Sequence, residues 1–391
     1  MFRSSGISGL PRLSNPFATV SPAPFEPGES PILPYPNGWF AMGPTEDLRP
    51  GAVLRRRFMG KDIVLYRTRS GLLRATRPYC PHLGAHFGVG GKVDGENLVC
   101  PFHAFAFGPT GECVKTGTGD PPPKIRLSTL PTREVNGLML VWHHSDGISP
   151  SWEVEPVDLT GFPKPSLYTF TLHDHPQDVM ENSIDTAHLP VVHGANYVLS
   201  RPPDFSDTTA VVNVKTSVNK FTYGPLSRIA MEGEVYISGL GWFAGQAVLP
   251  ELNTRISSWV LPTPIDPTHV ILRLGLSVQL RADKSRPASP VGPAFNLLLS
   301  RMATRIAMPY LVFDVKNDFP IWQNKTYKSR PRLVKGDGPI MAYRRWAKQF
   351  YNIAQYNAAL ATEHEQSDTE FLREPSDRPE TIGKARAGDI T

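Results

Sequence analysis

Residues 80–103 read CPHLGAHFGVGGKVDGENLVCPFH. Two short clusters, Cys80-Pro81-His82 and Cys100-Pro101-Phe102-His103, close the ends of a glycine-rich loop, and each holds one cysteine and one histidine. The chain has only three cysteines, so most of its thiols are committed here. Thiolate and imidazole are both good ligands for zinc and iron. With 17 residues between His82 and Cys100, the four side chains could hold one zinc tetrahedrally. They could equally hold a [2Fe–2S] cluster, with two thiolates on one iron and two imidazoles on the other. Three features favour the cluster. Each half carries one Cys and one His, so two loops can each give one ligand to each iron. Pro81 and Pro101 stiffen those loops. Glycines 84, 88, 90 and 91 let backbone approach sulfur and donate N–H bonds to it.

Outward from this stretch, residues from about Trp39 to Trp142 read as short strands punctuated by Gly, Pro and Asp. DIVLYR (62–67), GLLRATR (71–77), ENLVCP (96–101) and GLMLVWH (137–143) are the clearest, and a small all-β domain is predicted. The polar, proline-bearing run 146–165 marks a boundary. Beyond it, HPQDVMENSIDTAHLPVVHG (175–194) reads as a helix that Pro190 should end or kink. Five long strand-like runs follow, at 209–218, 228–238, 242–250, 253–263 and 269–280, and imply one curved antiparallel sheet. Residues 294–318 return to helix, interrupted by Pro309; Leu298, Met302, Arg305 and Ile306 fall at helical spacing and predict packing on the sheet, with a lipophilic entrance surface as the weaker reading. A last helix is expected over 338–355. The fold class is therefore α+β, an all-β domain followed by an antiparallel sheet with helices.

The chain has 391 residues and a net charge of +5, spread rather than blocked. That is too mild for nucleic-acid binding. No run of 18 apolar residues exists, so no membrane-spanning helix is expected. Three cysteines make no disulfide framework. With Cys80 and Cys100 on a metal, Cys113 is left as a buried thiol of the β domain, which fits a reducing compartment and a cytoplasmic location. Residues 1–35 read as a Pro/Ser-rich extension and 362–391 as a charged, disordered tail. His86, inside the loop, reads as structural.

A cluster domain needs little more than 110 residues, so the remainder asks for a second function. In ENSIDTAHLPVVH (181–193), Asp185 and His188 are spaced to share a helix face, and His193 follows one irregular turn later. Two histidines and a carboxylate on one face of an octahedron make the facial triad of non-haem Fe(II) oxygenases.

The first stretch closely resembles the Rieske motif C-x-H-x15–17-C-x-x-H, with Ala104-Phe105 where Gly-Trp is common. The pair of motifs, in this order, resembles the oxygenase (α) component of Rieske non-haem iron oxygenases over roughly residues 36–350. The resemblance implies a Rieske [2Fe–2S] domain (36–148) on Cys80, His82, Cys100 and His103. It also implies a helix-grip catalytic domain (149–361) holding mononuclear Fe(II) on His188, His193 and a late aspartate. Asp318, four residues before Trp322 in DFPIW, meets that last pattern, and Asp314 is the runner-up. By the same resemblance Asp185 is no ligand. It bridges a Rieske histidine of one subunit to His188 of the next in a homotrimer, and Asn182 is a further polar candidate beside it.

The implied activity is O2-dependent oxidation, monooxygenase-like, fed by an NAD(P)H-dependent reductase with or without a ferredoxin. DFPIWQNK (318–325) and DGPIMAYRRWAKQFY (337–351) resemble the 3-ketosteroid 9α-hydroxylase and cholesterol 7-desaturase branch. That makes a sterol or steroid the preferred substrate, with hydroxylation, desaturation or demethylation as outcomes. Phe205, Tyr223, Trp242, Phe243 and Trp259 could line a lipophilic pocket or fill the sheet core. Oxidation of an aromatic or other small molecule is the alternative. A Rieske electron carrier lacking the second iron is the reading from a different class.

Overall fold

The computed structural model describes residues 33–194, 196–217, 230–280 and 292–361. Of the expected N-terminal extension only 33–35 fall among these, and the expected tail over 362–391 lies outside them, as does Tyr223.

The first part of the chain is built from eleven short strands among the described residues. They are β1 (Gly38–Pro44), β2 (Val53–Phe58), β3 (Lys61–Arg67), β4 (Leu73–Thr76), β5 (Lys92–Asp94), β6 (Asn97–Val99), β7 (Ala106–Phe107), β8 (Cys113–Lys115), β9 (Thr129–Leu130), β10 (Thr132–Val135) and β11 (Leu138–His143). They pair antiparallel into three sheets, in the orders β1-β11-β10, β2-β3-β4-β9 and β5-β6-β7-β8. The runs DIVLYR and GLMLVWH fall in β3 and β11, whose centres are buried on both faces. Two-sided burial is why they read as apolar runs rather than alternating ones. Cys113 lies on β8, the last strand of its sheet, and is half-buried rather than buried.

The second part is one seven-stranded antiparallel sheet. Its strands are β12 (Ser166–His173), β13 (Asn196–Leu199), β14 (Thr209–Ser217), β15 (Ala230–Ser238), β16 (Trp242–Leu249), β17 (Thr254–Pro264) and β18 (His269–Leu280). Their order is β12-β18-β17-β16-β15-β14-β13. The α+β class and the antiparallel sheet agree with expectation. The long strands β17 and β18 carry the contact with the first part. Trp39, Trp142, Trp242 and Trp259 share one buried cluster across it. Arg273 of β18 reaches through, donating to the carbonyls of Ala41 (2.7 Å) and Met42 (3.2 Å). Burial pulls its pKa down to about 10, and the two carbonyls compensate the buried cation.

The long helix α2 (Pro293–Val315) covers the other face of β18, but not with the residues the spacing singled out. Its buried positions are Ser300, Thr304, Met308 and Val312, four apart, while Leu298, Met302 and Ile306 are 49–64% exposed. The reason is at the strand edge. β12 pairs with β18 only as far as Leu276, leaving the next backbone amides without a strand partner on that side. Thr304 Oγ1 accepts from Val278 N at 2.9 Å and Ser300 Oγ from Leu280 N at 3.1 Å. The helix turns its hydroxyls inward because buried N–H groups must be paired.

The predicted helix over 175–194 is also divided. Helix α1 covers only Pro176–Glu181, residues 182–187 form a turn, and Leu189–His193 make a single π-helical turn. His175 starts α1 by accepting from Gln177 N at Nδ1 (3.1 Å). Asp185 breaks the path by accepting from Ala187 N (2.9 Å) and His188 N (3.3 Å) through Oδ1, the local competition that takes Asp out of helix interiors. Two shorter helices follow, α3 (Phe319–Trp322) and α4 (Ile340–Ala347). The last passes into a 3₁₀ turn at Lys348–Phe350, and residues 353–361 are helical again, so the helix expected over 338–355 is interrupted near Tyr351.

Candidate metal centres

The two Cys/His loops fold alike. Cys80 N donates to Ala85 O (2.8 Å) and Gly84 N to Cys80 O (2.9 Å); Cys100 N donates to Phe105 O (2.8 Å) and Ala104 N to Cys100 O (3.2 Å). At matching places Gly84 has φ +74° and Ala104 φ +54°. Each loop therefore needs one left-handed residue, which glycine meets freely and alanine at a cost.

Both cysteines are 3% exposed and free of disulfides. Burial pushes the Cys80 thiol up to about 11, opposed by the His82 amide and reinforced by the adjacent Cys100. Binding a metal must therefore displace that proton. The His82 and His103 rings lie 5.0 Å apart, nearer the surface than the thiols. His82 stacks flat on Phe105 at 4.3 Å, so phenylalanine supplies a ring platform for this imidazole. Two adjacent buried thiols faced by two imidazoles fit a [2Fe–2S] cluster. His86 sits behind the loop. It accepts from Gly88 N at Nδ1 (3.0 Å) and faces Asp62 at 3.3 Å, which is a structural role.

The second group forms where the π-helical turn meets the end of α2. One ligand atom each from His188, His193 and Asp318 lies within 4.8 Å of the others. His193 Nε2 is 3.2 Å from Asp318 Oδ1, and Asp314 Oδ1 is 3.2 Å from the ring's other nitrogen, Nδ1. Burial alone would lower the pKa of His193, but Asp314 and Asp318 outweigh it and push it up to about 9. Carboxylates crowding an imidazole in a buried place make a cation site. Two imidazoles and one carboxylate suit a divalent transition metal, so the donor set fits mononuclear iron.

Asp185 stands beside this group. Oδ1 is spent on backbone amides and Oδ2 is 3.6 Å from His188 Nδ1. Burial would raise its pKa, but the contact with His188 and the amide donors hold it below the usual carboxylate range. The segment is clasped from behind by the C-terminal loop. Gly338 has φ +77°, and a Cβ there would meet Ile184 O at 2.6 Å, so only glycine lets the loop lie so close.

Other parts of the site were invisible to motif reading. Every residue of α1 is buried, and its polar side chains are matched from residues 325–351. Glu181 is held at two points by Arg344 (2.6 and 2.8 Å), Asp178 by Lys325 (2.9 Å), and Gln177 by Tyr327 and Tyr351 (both 2.9 Å). These pairings span more than 140 positions and leave no local signal. Of the aromatic residues considered for a pocket, Trp242 and Trp259 belong to the inter-sheet core, and Phe205 and Phe243 pack against the cluster around Tyr343 and Trp346.

Comparison with known proteins gives a consistent picture. Residues 38–131 match the Rieske [2Fe-2S] domain and residues 141–351 the 3-ketosteroid 9alpha-hydroxylase C-terminal domain. The chain is 30% identical over 362 residues to cholesterol 7-desaturase nvd of Bombyx mori, covering 88% of this chain and 73% of that one. A probable 3-ketosteroid-9-alpha-monooxygenase oxygenase component of Rhodococcus rhodochrous is 26% identical over 335 residues, covering 81% and 80%. Among solved structures, dicamba monooxygenase bound to dicamba superposes with a TM-score of 0.56 at 17% identity, over 80% of this chain and 96% of that one. The QL mutant of NdmA of Pseudomonas putida CBB5 with caffeine gives 0.58 at 16%, over 80% and 89%. These last two share the fold.

Proposed function

The chain belongs to the Rieske oxygenases of the 3-ketosteroid 9α-hydroxylase and cholesterol 7-desaturase branch, and from that premise we propose that it oxidises a sterol or steroid at a mononuclear iron. It is the oxygenase component of such a system and an oxidoreductase. The reading assigns Cys80, His82, Cys100 and His103 to the cluster, and His188, His193 and Asp318 to Fe(II). Its domains are residues 36–148 and 149–361. When bound, the cluster supplies single electrons and the ferrous ion supplies a site for O2.

The chain's own residues then have definite tasks. Cys80 and Cys100 give up their protons to bind and keep the inner side of their site dry. His82 and His103 present the outer side. Asp185 orients His188 and, as a carboxylate, can accept an imidazole N–H from a second site. Asp318 neutralises charge at the metal and leaves the remaining coordination positions to small ligands. The substrate class rests on the relatives, whose names specify cholesterol and 3-ketosteroid.

Transfer between subunits of a homotrimer completes the reading. It is supported by an apolar collar at the cluster: Leu83, Val89 and Phe102 are all more than 60% exposed beside the histidine-bearing loops, a surface suited to being covered. The electron donor is an NAD(P)H-dependent reductase, with or without a ferredoxin. No described helix is long and apolar enough to cross a membrane, and a cytoplasmic location is part of the proposal.

The observation that carries the reading is the meeting of His188, His193 and Asp318 in a chain that also holds the two-thiol, two-imidazole loops. The test is metal analysis followed by a substrate panel. Purified protein should contain one iron beyond the cluster's pair and should convert sterols or 3-ketosteroids, but not aromatic acids, with a surrogate reductase and O2, read by mass spectrometry. A chain with cluster iron alone would be an electron carrier, and the proposal would fall.

A further inference from the structure

His193 is flanked by carboxylates at both ring nitrogens. Asp318 faces Nε2 and Asp314 faces Nδ1, each at 3.2 Å. The two acids come from one stretch of chain. Asn317 N bonds Asp314 O and Asp318 N bonds Val315 O, both at 3.1 Å. The helical path thus runs on past the end of α2 and places two acids, four residues apart, on one side. Their settings differ. The Asp318 side chain is 7% exposed and that of Asp314 is 41% exposed. Asp318 shares the compact donor group with His188, whereas Asp314 does not belong to it.

A neutral imidazole carries one proton and one lone pair, on different nitrogens that point in divergent directions. A metal bound at Nε2 takes the lone pair there, and the proton must then sit on Nδ1. The atom beside Nδ1 is the carboxylate oxygen of Asp314, which lies at ion-pair distance but is not aligned as a hydrogen bond here. Nδ1 is a buried nitrogen with no hydrogen-bond partner among the described residues, and Asp314 is the acceptor within its reach.

We propose that Asp314 is a positioning residue: its carboxylate accepts the Nδ1–H of His193, fixes that tautomer and turns Nε2 toward the metal shared with His188 and Asp318. The inference rests on the assignment of those three side chains as ligands. It gives the runner-up carboxylate a separate task rather than a competing one. A carboxylate behind a histidine ligand also raises the basicity of the ring, and losing such a partner commonly weakens metal binding by about 10–100-fold.

The experiment is Fe(II) titration of cluster-loaded protein stripped of mononuclear iron, using Asp314→Ala, Asp314→Glu and Asp318→Ala. Cluster absorbance and the thermal midpoint of the stripped protein are recorded alongside. Asp314→Ala should bind Fe(II) about 10–100-fold more weakly, with both controls unchanged, and Asp314→Glu should recover most of the affinity. Asp318→Ala should hold no mononuclear iron. Wild-type affinity in Asp314→Ala would overturn the proposal and leave the ligand assignment standing. A thermal midpoint that falls in Asp314→Ala, with no recovery by Asp314→Glu, would also overturn it by making the role structural. Loss of iron in Asp314→Ala with retention in Asp318→Ala would overturn both, making Asp314 the ligand.

Discussion

Glu181 and Arg344, 163 positions apart, form a two-point ion pair: Nε donates to Oε2 at 2.6 Å and Nη2 to Oε1 at 2.8 Å. Both side chains are about one-tenth exposed. The pair ties α1, the element leading into the Asp185–His193 segment, to α4. Removing one partner strands a buried charge, which costs about 3–5 kcal/mol. Arg344→Met should lower the unfolding free energy by that amount and deplete mononuclear iron while cluster absorbance stays. Arg344→Lys should recover little, since an ammonium cannot reproduce the fork. Urea unfolding with iron analysis decides it; full iron occupancy in Arg344→Met would detach the pair from the metal site.

Ala104 stands at φ +54° where the matching loop has Gly84 at +74°. The left-handed conformation costs a non-glycine residue about 1–2 kcal/mol, partly offset by the greater unfolded-state entropy of glycine, about 0.4–1 kcal/mol. Ala104→Gly should therefore stabilise the protein slightly, by about 0.5–1 kcal/mol, without changing the cluster spectrum. Gly84→Ala should do the reverse. Thermal melts of the pair, read against each other, test the sign.

His175 is held neutral in the fold by burial. Nδ1 accepts from Gln177 N, capping α1, and Nε2 is 3.2 Å from Pro34 O. Burial pulls its pKa down to about 4, against the opposing pull of Asp178 and the Pro34 carbonyl. The folded value lies below the ordinary one of about 6.5, so the unfolded chain takes up a proton first as pH falls. The stabilisation is whole above about pH 6.5 and is lost on descending toward pH 4. His175→Asn keeps a cap acceptor but does not titrate. The variant should lose less stability than wild type between pH 7.5 and 5, and equal slopes would refute this source.

Much of the candidate site was legible in advance because its candidate residues sit in short runs. Cys80 to His103 and Asp185 to His193 each lie within a single stretch of chain, and metal chemistry restricts both residue type and spacing there. Some strands were legible for a similar reason: β18 is buried over most of its length and reads as a largely apolar run. Helix α2 was not. Its apolar residues recur at helical spacing all round, so periodicity could not say which face meets the sheet. Ser300 and Thr304 turn inward to satisfy an unpaired strand edge that exists only once β12 has stopped at Leu276. The division of 175–194 was hidden because Asp185 competes for backbone amides. The partners of α1 were hidden because Glu181 and Arg344 meet only in the folded chain. The Asp314–His193 contact is intermediate: the acid was visible, but not the nitrogen it would face.

Asp185 divides its carboxylate between two tasks, and two substitutions separate them. Oδ1 accepts from the amides of Ala187 and His188, which sets the path of the turn; Oδ2 faces His188 Nδ1 at 3.6 Å. Asparagine retains an oxygen for the amides but presents neutral N–H donors where the carboxylate oxygen stood. Asp185→Asn should therefore keep both metals and lose turnover by about 10–100-fold, the range for a partner that orients a metal-bound histidine. Alanine removes both functions. Asp185→Ala should in addition release mononuclear iron, because the amides of Ala187 and His188 lose their acceptor and the segment carrying His188 and His193 slackens. Single-turnover oxidation of the reduced protein with substrate and O2, beside iron analysis, distinguishes the two. Wild-type turnover in Asp185→Asn would leave Asp185 a backbone cap and nothing more, and the link between the two metal centres would have to be sought in another side chain.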